Sequence, residues 1–126
     1  HYLNIYDLSP EAIGQGEGFD WVLAGDILVH TLYPLKALAA LASVCRGTLA
    51  IVERMPGEPS DPPVLLYTGG DVPSEDEVNW WLPNRACLEK LLRKLGFREV
   101  REMGRHQAVV RSSGFAVERT VLHAIR

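Results

Sequence analysis

The apolar positions of this chain change period several times, and each change marks an element. Residues 2–6 alternate weakly and are rich in β-formers. Pro10, which lacks an N–H and disfavours a helical Ser9, closes that run. Glu11-Ala12-Ile13 has room for one helical turn. Residues 19–24 then form a short apolar run, long enough for one buried strand, that stops at the small-residue break Ala24-Gly25-Asp26. In residues 34–45, Leu35, Leu38, Leu41 and Cys45 recur at helical spacing. Pro34 suits the first helical position, and Arg46-Gly47 end the helix, with Gly47 taking a left-handed conformation. Residues 48–53 are a second buried-type strand.

Regularity stops from residue 55 to residue 79, where prolines and glycines accumulate. A connection of that length is functional or disordered more often than not. Its apolar cluster Val64-Leu65-Leu66-Tyr67 needs a surface to cover, as a lid over a site or as a plain surface excursion. Ser74 could cap a short helix over residues 74–77. Asn84 is a good cap for a helix over residues 85–95, with Leu88, Leu91, Leu92 and Leu95 as its core stripe and Gly96 as its stop. Residues 97–103 make a strand, and residues 118–126 alternate and make the last one. Residues 107–117 read equally as a hairpin arm or a loop, with Ser112-Ser113-Gly114 as the turn. The order β, β, α, β, long loop, α, β, β predicts an α/β domain: parallel pairing where helices intervene, and an antiparallel pair at the end.

Composition narrows this little. At 126 residues the chain is one domain or part of one, and thirteen basic against sixteen acidic side chains give a net charge of -3. That balance argues against a broad basic nucleic-acid face. Cys45 and Cys87 both fall in predicted helices, show no metal spacing and read as reduced packing residues of a cytoplasmic protein. No apolar run approaches the ~20 residues of a membrane span, and no signal peptide opens the chain. The start at His1, directly in a strand-like run, reads as a cut piece of a longer protein. The run Gly14-Gln15-Gly16-Glu17-Gly18 spells GxGxG, but a phosphate loop must lead into a helix. Here it leads into a strand, so it reads as a flexible connector.

Phe19-Asp20-Trp21-Val22, Gly25-Asp26-Ile27-Leu28-Val29-His30 and Pro34-Leu35 with Ala37-Leu38 together resemble the fourth-strand motif of class I S-adenosylmethionine-dependent methyltransferases. Arg46-Gly47-Thr48-Leu49 looks like the turn into their fifth strand. Trp81-Leu82-Pro83-Asn84, Leu88 and Leu95-Gly96-Phe97 look like their late helix, and Val121-Leu122-His123-Ala124 resembles their final strand. The nearest branch is the group related to tRNA wobble-uridine methoxy/carboxymethoxy transferases. The family sheet has the order 3-2-1-4-5-7-6 with strand 7 antiparallel. The resemblance thus implies a partial Rossmann-like methyltransferase sheet, mainly parallel, the C-terminal part of a methyltransferase domain. This chain would hold strands 3 to 7. Strands 1 and 2, which carry the Gly-rich loop and the ribose-binding acid, would be absent from it, and the missing N-terminal half becomes its natural partner.

The resemblance also implies a site. Tyr6 and Asp7 follow the expected third strand, where the family contacts adenine, although Asp7 could simply cap the turn to Pro10. Gly25 and Asp26 stand beside the cofactor, S-adenosylmethionine, where small residues admit close backbone approach. His30 holds the family's His position and is the catalytic candidate. It could orient or deprotonate an acceptor hydroxyl, or hydrogen-bond a loop carbonyl and hold the strand-to-helix turn. Trp80, Trp81 and Tyr67 are candidates to wall an acceptor pocket, with core packing as the alternative for the tryptophans. His1, His106 and His123 lack a metal-ligand pattern. Two departures separate the chain from the tRNA branch. Val29 replaces a Tyr, and Glu75-Asp76-Glu77-Val78 stands where an Arg is expected, so the region suits neither a carboxylated cofactor nor RNA phosphates. The expected function is methyl transfer to a small-molecule acceptor, with tRNA as the lesser option. The alternative is a non-catalytic methyltransferase-like module in an assembly, with the 64–67 cluster as a partner surface. A dinucleotide-dependent oxidoreductase is disfavoured by the placement of the glycine run.

Overall fold

In the computed structural model, which describes residues 2–14, 16–58, 61–72, 78–109, 111 and 114–126, the apolar run after the glycines forms strand β1 (Phe19–Gly25). A 3-10 turn, Leu28–His30, leads from it into helix α1 (Pro34–Ser43), which has Pro34 in its first turn. Strand β2 (Cys45–Glu53) follows, and a hairpin of two short strands, β3 (Leu65–Tyr67) and β4 (Trp81–Pro83), rises from the long excursion. Helix α2 (Arg85–Lys94) and strands β5 (Glu99–Val109) and β6 (Ala116–Ile125) complete the chain.

The main sheet has the order β1-β2-β6-β5. β1 and β2 pair in parallel, with Ala24 beside Ile51, and the crossover between them contains α1. β6 runs against both neighbours, with Leu122 opposite Ile51 and Thr120 opposite Glu53. Three strands therefore share one direction and β6 opposes them, the arrangement the resemblance implies for strands 4-5-7-6. Of residues 107–117, ambiguous in sequence, Gln107 to Val109 belong to β5 and Ala116 and Val117 to β6, with Ala108 opposite Val117; Val110, Ser112 and Ser113 are outside the described residues.

One face of this sheet carries the core. Ala24, Leu49, Ile51, Leu122 and Ala124 pack against Leu38 and Leu41 of α1 and Leu88 and Leu92 of α2, all buried. The other face is bare at β1, where Trp21 is 62% and Leu23 70% exposed. Asn84 caps α2 as expected: its Oδ1 accepts the Cys87 N–H at 2.9 Å and the Val64 N–H at 3.1 Å, and its Nδ2 donates to Pro62 O at 2.8 Å. One side chain thus closes a helix and fastens the excursion. Gly96 ends α2 with φ +93°, a conformation only glycine adopts readily.

Several expectations are corrected. Residues 2–6 form no strand. Asn4 Oδ1 accepts the Tyr6 N–H at 3.0 Å and caps a 3-10 turn, Ile5–Asp7, which packs on α1. An isolated extended segment leaves its backbone groups unpaired, so the local side-chain bond wins. Helix α1 stops at Ser43 rather than 45, and Cys45 is the first residue of β2. Gly47 is no helix cap but a strand residue. A Cβ there would lie 2.3 Å from Asp20 O, so glycine is needed for the closeness of the two strands. Leu35, placed in the core stripe by its spacing, is 51% exposed. The short helix expected at 74–77 lies outside the described residues.

Candidate functional site

The carboxyl ends of β1 and β2 are where an open α/β sheet leaves room for a ligand. At this end Asp26 continues past β1, donating its N–H to Val52 O at 2.8 Å, and turns the chain with φ +48°. A short polar side chain tolerates that left-handed geometry better than most. The chain then enters the Leu28–His30 turn, which rests on Glu53, the last residue of β2. Glu53 is fully buried, and its Oε1 accepts the Leu28 N–H at 2.7 Å. Its Oε2 has no partner among the described residues. Burial pushes this carboxyl up to about 7, against the pull of the backbone bond and with a further push from the Asp26 charge.

His30 stands at the end of the turn with Nδ1 2.9 Å from Val78 O. A carbonyl can only accept, so Nδ1 carries the proton and, in the neutral ring, Nε2 is left as a bare acceptor. Trp80 reinforces the placement from the chain side: its N–H donates to Val29 O at 2.8 Å and its C=O accepts the Thr68 N–H at 2.9 Å. Arg119, from β6, places Nε 2.6 Å from Asp26 Oδ1, though without hydrogen-bond alignment, and its Nη1 has no partner among the described residues. These groups surround a cavity of about 310 Å3, lined by Asp26, His30, Arg54, Thr68, Asn79 and Arg119 with Phe115 and a few aliphatic neighbours. Thr68 Oγ1 is also buried without a partner among the described residues.

A second, more apolar groove of about 720 Å3 runs along the start of α1, lined by Leu32, Tyr33, Pro34, Leu35, Lys36, Leu65 and Trp81. Tyr67 meets Trp81 edge-on at 5.3 Å and donates its hydroxyl to Gly70 O. The Tyr6 hydroxyl accepts the Tyr33 N–H at 3.1 Å, and its ring meets Tyr33 edge-on at 5.9 Å.

The structure thus divides the residues predicted from sequence. His30 and Asp26 share the polar cavity, and Gly25 directly precedes it. A Cβ added to Gly25 would meet nothing within 4 Å, so the strand end faces open space. Trp81 lines the apolar groove instead, with Tyr67 against it and Tyr6 behind Tyr33. Trp80 is half-buried and contributes main-chain bonds, and Asp7 is exposed and lines neither space. Both features weighed for His30 coexist: a loop-carbonyl bond and a place on a cavity wall. Arg54, Thr68, Phe115, Arg119 and the supporting Glu53 escaped the sequence reading. A carboxylate ending the otherwise apolar 48–53 strand was the one visible signal. Arg119 is hidden in the alternation of the last strand. The two cysteines carry no candidate chemistry: both are free, and burial pushes both thiols up, keeping them protonated. No metal-binding cluster occurs among the described residues, and no helix there is long and apolar enough to cross a membrane.

No protein-family model matches the sequence, and no curated protein matches it. Solved structures do. The N-terminal domain of EvdMO1, crystallised with SAH and D-fucose, matches with a TM-score of 0.62 at 18% identity, covering 100% of this chain and 54% of that one. Magnesium protoporphyrin IX methyltransferase (ChlM) from Synechocystis PCC 6803 with bound SAM matches with a TM-score of 0.56 at 16% identity, covering 98% and 44%. The 1,6-didemethyltoxoflavin-N1-methyltransferase of Burkholderia thailandensis matches with a TM-score of 0.56 at 16% identity, covering 98% and 49%. The chain spans about half the length of these chains. At such identities the likeness is one of fold: this chain has part of the Rossmann-like sheet found in class I methyltransferases.

Proposed function

We propose that this chain forms the acceptor side, and one wall of the cofactor side, of an S-adenosylmethionine-dependent methyltransferase acting on a small molecule. The observation that carries the reading is the polar cavity outside the carboxyl ends of β1 and β2, with His30 on its wall and its Nδ1 bonded to Val78 O, so that Nε2 is not used in that bond. The open space beside Gly25 fits a ligand pressed against the strand end, so Gly25 and Asp26 are the residues of this chain that would hold the cofactor. Tyr6 and Asp7 are further candidates, from the resemblance. S-adenosylmethionine, when bound, supplies a methyl group already activated on a sulfonium. What the chain itself contributes is alignment and exclusion of water, with His30 Nε2 taking the proton that the acceptor loses. Glu53 holds the turn that carries His30. Trp81 and Tyr67, on the apolar groove, would receive the less polar part of a larger acceptor.

The likeness to the tRNA wobble-uridine branch gains no support from the neighbours named above, and a chain of net charge -3 is poorly suited to RNA phosphates. The test is a calorimetric titration of the intact protein with S-adenosylmethionine, which should give saturable heat. No heat from a folded sample sinks the proposal. Val64, Leu66 and Tyr67 are each nearly half exposed, which favours a second reading as a non-catalytic module docking a partner through this hairpin. Cofactor binding without turnover on any acceptor would select it.

A further inference from the structure

We infer that the polar cavity takes an acceptor bearing a carboxylate, a hydroxylated organic acid seated by Arg54 and Arg119 with its hydroxyl toward His30. The word acceptor rests on the methyl-transfer reading; the carboxylate does not. The cavity wall carries two guanidiniums against one carboxylate, in a chain whose net charge is negative. Arg54 forms no ion pair among the described residues. Arg119 places Nε near Asp26, and its Nη1 and Thr68 Oγ1 are buried donors with no acceptor among the described residues. Buried donors are almost always satisfied in a working structure, and a ligand oxyanion is the partner this set is short of. A guanidinium presents a planar fork that matches a carboxylate better than any neutral group. A space of about 310 Å3 is of a size to hold a small organic acid. Phe115, Val117 and Leu82 line the same space and suit a carbon skeleton.

The experiment is calorimetric binding to the intact protein of a panel of hydroxybenzoates and short aliphatic hydroxy acids, each against its own methyl ester, with phenyl phosphate alongside. At least one acid should bind about tenfold or more tightly than its ester, since bonds to a charged group are lost on esterification. Arg54→Gln should weaken that acid by about tenfold and leave the ester unchanged, because the guanidinium meets only the charged ligand. Arg54 is exposed, so the variant should keep its circular dichroism and melting profile. Arg119→Lys should weaken the acid while keeping the charge, because the fork is lost. If every acid binds no better than its ester, if Arg54→Gln changes nothing, or if phenyl phosphate is preferred over every acid, the inference is overturned. A parallel titration with S-adenosylmethionine separates the two claims. Acid selectivity without cofactor binding defeats the methyl-transfer reading alone, and cofactor binding without acid selectivity defeats this one alone.

Discussion

The two ends of the main sheet are built from similar residues and finished in opposite ways. At the end where β2 begins, Arg126 donates to Ala42 O, Cys45 O and Leu95 O at 2.7, 3.0 and 3.1 Å and covers the Phe97 ring at 4.5 Å. That one side chain joins the last carbonyls of both helices to the sheet. At the other end, among the described residues, Arg119 keeps an unpartnered Nη1, and Glu53 and Thr68 keep unpartnered oxygens. One end is satisfied by the chain itself, and the other holds its polar groups in reserve. Unsatisfied buried groups lower stability, so a fold retains them where something else is bound.

Substitutions at the two ends should therefore separate stability from function. The largest effect is expected for Arg126→Met, which removes three charge-assisted bonds and should cost about 4 kcal/mol in urea denaturation. Arg119→Met, the same change at the open end, should cost about 1 kcal/mol or less, because it gives up a single misaligned ion pair. Equal losses would erase the contrast.

Glu53 comes next. Its carboxyl stands at about 7 in the fold against 4.5 in a free chain. A raised carboxyl favours the protonated fold, so its contribution is complete below 4.5 and is lost as pH rises through about 7. Stability should fall over that window by on the order of 3 kcal/mol. Glu53→Gln should flatten the profile measured by denaturation at stepped pH. An unchanged slope would show that the buried carboxyl is not its source.

His30→Ala should lower methyl transfer by about a hundredfold, as loss of a general base does, while the cofactor dissociation constant stays put. Full retention of rate would return His30 to a turn-holding role. The smallest and sharpest contrast is between two glycines. Gly47→Ala forces a Cβ against Asp20 O and should cost about 1–3 kcal/mol. Gly25→Ala meets open space and should leave the melting midpoint nearly unchanged, while weakening S-adenosylmethionine binding if the strand end touches the cofactor.

Much of the fold was legible in the chain. The β1 and β2 runs, both helices, the Asn84 cap and the Gly96 stop are local signals, and local signals survive folding because propensity, spacing and capping act within a few residues. The start of the chain was misread for the complementary reason: β-rich residues become a strand only when another strand pairs with them, and here Asn4 offers the backbone a nearer bond. Gly47 was misread because its requirement comes from Asp20, on a neighbouring strand.

The site followed the same rule. Asp26 and His30 could be found from the break after an apolar strand, a pattern that lies in adjacent residues. Arg54 follows β2, Thr68 follows β3 and Arg119 lies near the start of β6, so residues far apart in the chain meet at one cavity. Local patterns in the chain specify β1, β2, both helices and the turn at the sheet's end. Which charges meet there follows from the packed fold, because burial and pairing depend on residues distant in the chain.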